Sequence, residues 1–297
     1  MAPFQSRHAK LWPIVVTLPA LLLFGVFVLL PALGNFYFSF TDFNGNIHVP
    51  HRWVGLQNYM QALSSDFRNI GEAVQNTFIF SILVTLGQNA LAVLLAVLVN
   101  IKLRGRNIYR SVLFMPSVLG VVVIGLIWTL MFDPFSGPVH ALLQSMGYDS
   151  PLLGSPNAAL YLVVFVMIWS YAGYSMIIYL AGLQNIPEEL YEASRIDGSS
   201  DWQNFRHITL PLLQPAITLN VLLSIIGTLG AYDIIVVLTN GGPGMASTTL
   251  GLYIFKNLYL PGLSKGYLAA LSILQFALIL FVVVIVQYYL RRREVDQ

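Results

Sequence analysis

Six long apolar runs, separated by polar stretches, leave this chain of 297 residues few ways to fold. They cover about Leu11 to Phe40, Ala73 to Val99, Ser111 to Phe132, Ala158 to Gln184, Pro211 to Leu238 and Gly266 to Leu290. A helix of ~20 residues crosses ~30 Å of hydrocarbon, so each run can span a bilayer. With 57% hydrophobic and 9% charged residues, the chain has too little polar surface for a soluble domain of this length. The expectation is an all-α polytopic membrane protein of six transmembrane helices, forming a single domain over 1–297.

Arg7, His8 and Lys10 precede the first run as they would in a signal peptide. The apolar core outlasts an ordinary signal core, however, and no small-x-small site closes it, so a retained first span is expected. Pro13, Pro19 and Pro31 predict an irregular helix there, with a kink near Pro31. Thr41 to Glu72 reads as a loop rather than a packed element, and Asp133 to Asn157 as a turn-rich connection. Arg7, Lys10, Lys102, Arg104, Arg106, Arg110, Arg195, Arg206, Arg291, Arg292 and Arg293 fall on one side of the six spans. Arg52, Arg68, Lys256 and Lys265 fall on the other. The positive-inside rule then puts both termini and the loop between the fourth and fifth runs in the cytoplasm.

The net charge of +2 gives no reason to expect a nucleic-acid partner. Absence of cysteine excludes disulfides and thiolate chemistry. His48 and His51 flank Pro50 without a nearby carboxylate and read as loop residues rather than metal ligands. No GxxxxGK[ST] phosphate loop, GxSxG elbow or HExxH pair occurs, so an enzyme reading has no support and any ATP chemistry belongs to another subunit.

Within the spans Asp233 is the clear ionisable exception. A partly hydrated acid near the interface is the more economical reading, and a direct substrate contact is the other. Trp169, Ser170, Tyr171 and Tyr174 cluster in the fourth run, while Asn220, Ser224, Thr228 and Tyr232 recur at helical spacing in the fifth. Such side chains suit the apolar faces and hydroxyl edges of sugars, but they equally bridge helices or form interfacial belts, and packing is the expected role for most of them. A pathway for phosphate or carboxylate cargo would favour fixed positive charge, and none lies inside the runs.

The polar segment Leu190 to Pro211 stands out between two apolar runs. Pro187, Glu188 and Glu189 open a helix, Asp197-Gly198 stops it, and Ser199, Ser200 and Asp201 offer caps for a second. Leu190, Ala193 and Ile196 form one apolar side, and Trp202, Phe205 and Ile208 another. From the pattern alone this is either an interfacial helix pair or a docking element.

Glu192-Ala193, Asp197-Gly198 and Leu210-Pro211 with Pro215 resemble the EAA loop of ABC importer permeases, with Ser194 in place of the second alanine and Ser199 in place of the alanine after the glycine. Val54-Gly55-Leu56-Gln57-Asn58-Tyr59 is similar to the VGLxNY segment of sugar permeases. Arg110 to Pro116, and Leu238-Thr239-Asn240-Gly241-Gly242-Pro243 followed by Thr248 and Thr249, resemble the carbohydrate-uptake type related to the larger maltose permease subunit and the glycerol-3-phosphate permease. The resemblance implies the type I ABC importer permease fold, with residues 186–211 as its cytoplasmic coupling-helix loop, in a bacterial or archaeal plasma (inner) membrane. It implies half of a heterodimeric channel and these partners: a companion permease, two nucleotide-binding subunits that hold ATP and Mg, an extracytoplasmic solute-binding protein, membrane lipid and a sugar. This chain would itself carry no cofactor.

For coupling to the ATPase the resemblance implies Glu192, Ala193, Ser194, Asp197, Gly198, Ser199, Trp202, Phe205, Leu210 and Pro211. Counting from the matched segments puts Ser117, Val121, Ser170, Tyr171, Tyr174, Gly227, Thr228 and Ala231 along the substrate pathway, to which Asp233 is added. The rival from another class is an ion-coupled secondary carrier or channel for a small polar solute.

Overall fold

The computed structural model describes residues 7–292 except 47, 65, 102–104 and 149, with side chains from residue 16 onward. Among the described residues, four continuous helices are long and apolar enough to cross a membrane: α1 (Val16–Phe38), α3 (Phe67–Asn100), α7 (Ala159–Gln184) and α13 (Lys265–Arg291). Two bent pairs raise the number to six if each is taken as one span. Arg106–Val118, which contains α4 (Arg106–Phe114), meets α5 (Val121–Met131) at 95°, and α9 (Asp201–Leu212) meets α10 (Gln214–Leu229) at 66°.

Proline chemistry accounts for the first irregularities. A π-helical turn at Gly25–Leu29 precedes Pro31, which has no N–H to give to the turn before it. The third span tightens into a 3₁₀ turn at Met115–Val118 around Pro116 and then turns extended at Leu119 and Gly120. The fifth run departs from one continuous helix: α10 ends at Leu229, and α11 (Asp233–Leu238) begins after an interruption that contains no proline.

The chain divides into two compact units. The first comprises residues up to Phe67 together with Asn257–Leu274. Here the stretch read as a loop is ordered by α2 (Gln57–Leu63), and α3 already begins at Phe67. Buried Asn58 donates to Ser39 O and Thr41 O, both at 2.9 Å, and Tyr59 shares a 2.7 Å hydrogen bond with Ser39. The VGLQNY segment therefore ties the end of α1 to α2. His51 packs against the rings of Tyr37, Phe38 and Phe43.

The second unit, Arg68–Lys256 with Gln275–Gln297, holds two apolar clusters. One joins α3, α5, α7 and α11 through Phe80, Val84, Ile124, Val163, Ile234 and Ile235. The other joins α3, α7 and the start of α10 through Ala92, Ala96, Met176, Tyr179 and Leu213. The connection after α5 is more regular than its glycines and prolines predict, because it contains α6 (Pro138–Ser145). Ahead of α6, Asp133 accepts from the backbone of Ser136 and Phe135 and from the Ser136 hydroxyl, which holds its carboxyl below the ordinary value.

The segment after α11 folds back over α3. Asn76 donates to Met245 O at 2.9 Å and Thr248 O at 3.1 Å, and Thr77 receives the N–H of Leu250, where α12 (Leu250–Leu258) begins.

Helix crossings depend on glycine where backbones touch. A Cβ on Gly173 of α7 would lie 1.9 Å from Leu113 O, whereas one on Gly71 of α3 meets nothing within 4 Å. Gly173→Ala is therefore expected to destabilise the fold by roughly 1–3 kcal/mol through overpacking against backbone. Gly71→Ala should be neutral or stabilising by ~0.5–1 kcal/mol. Thermal unfolding in detergent checks the pair, and equal midpoints for the two variants would contradict the packing.

Candidate functional site

Two features of the second unit carry the functional residues. The first is the polar segment between α7 and α10. Helix α8 (Glu188–Ile196) has acids in its first turn and Arg195 in its last, matching the helix dipole. It closes in a Schellman arrangement, with Ser199 N donating to Ser194 O at 3.0 Å and Gly198 N to Arg195 O at 3.1 Å. Gly198 supplies the required left-handed conformation, φ +79°. Of the three cap candidates Ser200 is the one used: it forms a reciprocal capping box with Gln203 at the start of α9.

Two side-chain bonds brace α8 against α9. Ser194 donates its hydroxyl to buried Asn204, and Tyr191 shares a 2.9 Å hydrogen bond with Thr209. Tyr191, Ile208 and Leu212 then pack on the apolar cluster around Leu183 and Leu213. The expected stripe Trp202, Phe205 and Ile208 does not form one face. A π-helical turn at Phe205–Thr209, again just before a proline, shifts the register and turns Ile208 inward.

The apolar side chains left partly outside are Ile196, Trp202 and Phe205, the last two bordering a groove lined by Ala90, Val93, Leu94 and Val97 of α3. Ile196 is 87% exposed and Trp202 68%, with Trp202 stacked on half-buried Phe205 at 5.7 Å. Glu192, Ala193 and Asp197 are exposed beside them, Leu210 is 39% exposed, and Ser199 and Pro211 are half-buried.

The second feature is a polar ladder among α3, α7 and α10. Gln88 donates to Ser175 at 2.7 Å, and Ser175 donates to Asn220 at 3.0 Å. Asn220 returns a 3.2 Å bond to Ser175 O. Asn89 donates to Ser224 at 3.2 Å and accepts from Tyr179, while Ser81 and Thr228 share a 2.7 Å bond. Asn220, Ser224 and Thr228 thus serve packing. Tyr232 leaves their stripe because the helix is interrupted, and it stacks on Phe255 instead.

Beside the ladder lies a cavity of ≈ 370 Å³. Of the expected pathway residues, Tyr171, Tyr174, Gly227, Thr228, Ala231 and Asp233 line it. Asp233 is the first residue of α11 rather than a residue near the outer end of a continuous helix, and its Oδ1 accepts from Ile234 N at 2.8 Å. Ser117, Val121 and Ser170 are not among the lining residues. Ser170 is buried and donates to Val166 O, Ser117 donates to Phe114 O, and Val121 begins α5 beyond the bend. The lining also includes Gln88, Met167, Asn220, Leu223 and Ser224, which were not expected on the pathway. Asn220 and Ser224 had been visible as a helical stripe, whereas Gln88 carried no comparable signal. Among the described residues, no group of three His, Asp or Glu side chains is placed to hold a metal ion.

Residues 88–295 match the family described as the binding-protein-dependent transport system inner membrane component. A probable ABC transporter permease protein of Pyrococcus horikoshii is 36% identical over 281 residues, covering 93% of this chain and 94% of the relative. The trehalose/maltose transport system permease protein MalF of Thermococcus litoralis is 36% identical over 279 residues, covering 93% and 92%. Among solved structures, a bacterial ABC transporter involved in the import of the acidic polysaccharide alginate contains a chain with the same fold. Its TM-score is 0.81 at 24% identity, with 96% of each chain covered. The six spans, the braced polar element and these matches together establish that the chain belongs to the family of binding-protein-dependent transport system inner membrane components.

Proposed function

We propose that this chain is one of two permease subunits of an ATP-driven importer and that it forms half of the pathway for a neutral sugar or oligosaccharide. One observation carries the reading: a cross-braced helix pair presents Ile196 and Trp202 outward and runs directly into the span that lines the cavity. In water an unpartnered aromatic and aliphatic patch favours burial against another protein. The brace from Tyr191 to Thr209 and from Ser194 to Asn204 lets a push on α8 reach α10 without being absorbed in the turn.

On this reading Glu192 is the polar docking contact, Gly198 permits close approach, and Leu210-Pro211 joins the element to the fifth span. Nucleotide-binding subunits that carry ATP and Mg move the element as a rigid body, a companion permease completes the pathway, and an extracytoplasmic binding protein delivers cargo. The side of the membrane follows from charge. On this reading Arg106, Arg110, Arg195, Arg206, Arg291 and Arg292 lie with the helix pair on the cytoplasmic side, as the positive-inside rule favours. Lys102, Arg104 and Arg293, and the side chains of Arg7, His8 and Lys10, lie outside the described residues.

Neutral cargo is favoured by the cavity itself. Tyrosine, amide and carboxylate groups line it, with no lysine or arginine among the lining residues. A sugar hydroxyl donates well to a carboxylate, whereas an anionic cargo facing Asp233 would be repelled. The trehalose/maltose relative is consistent with such a cargo.

Purification through a tag on this chain should recover a companion permease and an ATPase whose rate rises with one sugar-loaded binding protein. Recovery of this chain alone, with ion-gradient-driven uptake in liposomes, would leave the secondary carrier standing instead. Replacing the outward anchors tests the docking face: Ile196→Asp or Trp202→Ala should weaken capture of the ATPase by about 10–100-fold, the scale of an interface hot spot. Gly198→Val, a β-branched residue at positive φ, should uncouple ATPase stimulation from transport while membrane insertion persists. Unchanged capture and uptake in all three variants would remove the coupling role from this element.

A further inference from the structure

The interruption between α10 and α11 is not written into its own residues. No proline lies between Pro215 and Pro243. Gly230 has φ −95°, a conformation open to any residue, and Ala231 is a strong helix former. Gly227 and Gly230 each weaken a helix relative to alanine, but nothing in these residues forbids one.

What opposes it comes from elsewhere in the chain. In an unbroken helix Leu229 O would take the N–H of Asp233; here it receives Nε2 of Gln275, from α13, at 3.1 Å. Two residues on, Ala231 O receives the hydroxyl of Thr249 at 2.8 Å. Gly251 permits this approach, since a Cβ there would lie 3.1 Å from Gly230 O and 3.3 Å from Gln275 Nε2. Leu229, Ala231 and Thr249 are buried, so these carbonyls have no bulk water to turn to. Gly227, Thr228, Ala231 and Asp233, on both sides of the interruption, line the cavity.

We infer that Gln275 and Thr249 are positioning residues for the transport pathway: by capturing Leu229 O and Ala231 O they hold the fifth span open, and so set how Ala231 and Asp233 face the cavity. Neither residue lines the cavity itself. The inference rests on the permease reading for its functional consequence, while the geometry of the interruption can be read independently.

The natural absence of cysteine makes the test direct. Single cysteines at positions 227–236 are scored for thiol accessibility in the assembled complex, in backgrounds carrying native residues, Thr249→Val, Thr249→Ser, Gln275→Leu or the Val/Leu double change. The native background should show a helical period broken at 230–232. The double change should restore an uninterrupted period and lower the maximal rate of sugar-stimulated ATPase about tenfold, the scale of losing a buried hydrogen-bond partner. Its half-saturating concentration of loaded binding protein should stay the same. Thr249→Ser, which keeps the donor, should behave as native, and Thr249→Val alone should show the smaller effect in the same direction. A double variant that keeps the broken period, or one that loses it and still turns over normally, overturns the inference. If the native complex shows no sugar stimulation, the permease reading fails, and the accessibility pattern alone decides whether the clamp exists.

Discussion

A bilayer core offers no water to a backbone or side-chain polar group, and the architecture follows from that constraint. Polar residues in α3, α7 and α10 find one another: Gln88 with Ser175, Ser175 with Asn220, Asn89 with Ser224 and Tyr179, Ser81 with Thr228. Each pairing removes a donor or acceptor that would otherwise be stranded in hydrocarbon, and together they fix the rotation of three helices about their axes. Apolar clusters alone, such as those around Val84 and Ala96, specify rotation less sharply because many apolar side chains fit a similar space. Once the ladder is set, the cavity beside it has a defined wall, and the groups not consumed by packing, notably Tyr171, Tyr174 and Asp233, are left to meet a ligand.

How much of this was legible in the sequence depended on how local the cause was. The six apolar runs needed length and composition alone. Pro31 marked the irregularity of the first span, and Asp197-Gly198 marked the turn after α8, because proline and a left-handed glycine act where they stand. Tertiary partners were not legible. Ser194 read as a small-for-small replacement, yet it bonds to Asn204 ten positions away, and nothing in the spacing of the two announces the pair. Ser117, Val121 and Ser170 were placed by counting along helices, and they do not line this cavity because a 95° bend and the inward-facing side of α7 are invisible to a count. Ile208 was misread for a related reason, since a π-helical turn before Pro211 changes the period on which the stripe was drawn.

The two cross-braced regions divide the work of the second unit. At one end the α8–α9 pair is a small rigid body: a Schellman turn, a capping box and two side-chain bonds leave its connecting loop little freedom. Its inner face is anchored by Leu212 and Leu213 at the head of α10, so any displacement of the pair is a displacement of that helix. Ile196 stays almost wholly exposed, and Trp202 is mostly exposed although it borders the α3 groove. Their exposure is an energetic cost that a solitary subunit carries and a partner surface relieves.

At the other end the third and fifth spans are both discontinuous, and their distal segments are packed on each other. Gly125 of α5 lies so close to Val237 of α11 that a Cβ on the glycine would come within 2.3 Å of Cγ1. Such contact leaves the two segments little room to slide independently. The proximal halves, α4 and α10, also contact α7, which packs on the distal segments through Val163 and Val166 and on α4 where Gly173 meets the backbone of Leu113. Each span is therefore interrupted by non-helical residues, Leu119-Gly120 in one and Gly230 to Tyr232 in the other, while α3 and α7 run unbroken past both halves. Unwound backbone is tolerated at membrane depth where protein or a hydrated cavity satisfies it, and both conditions hold beside Ala231. The cavity sits against the interruption in the fifth span, so a change in the angle between α10 and α11 would change its shape.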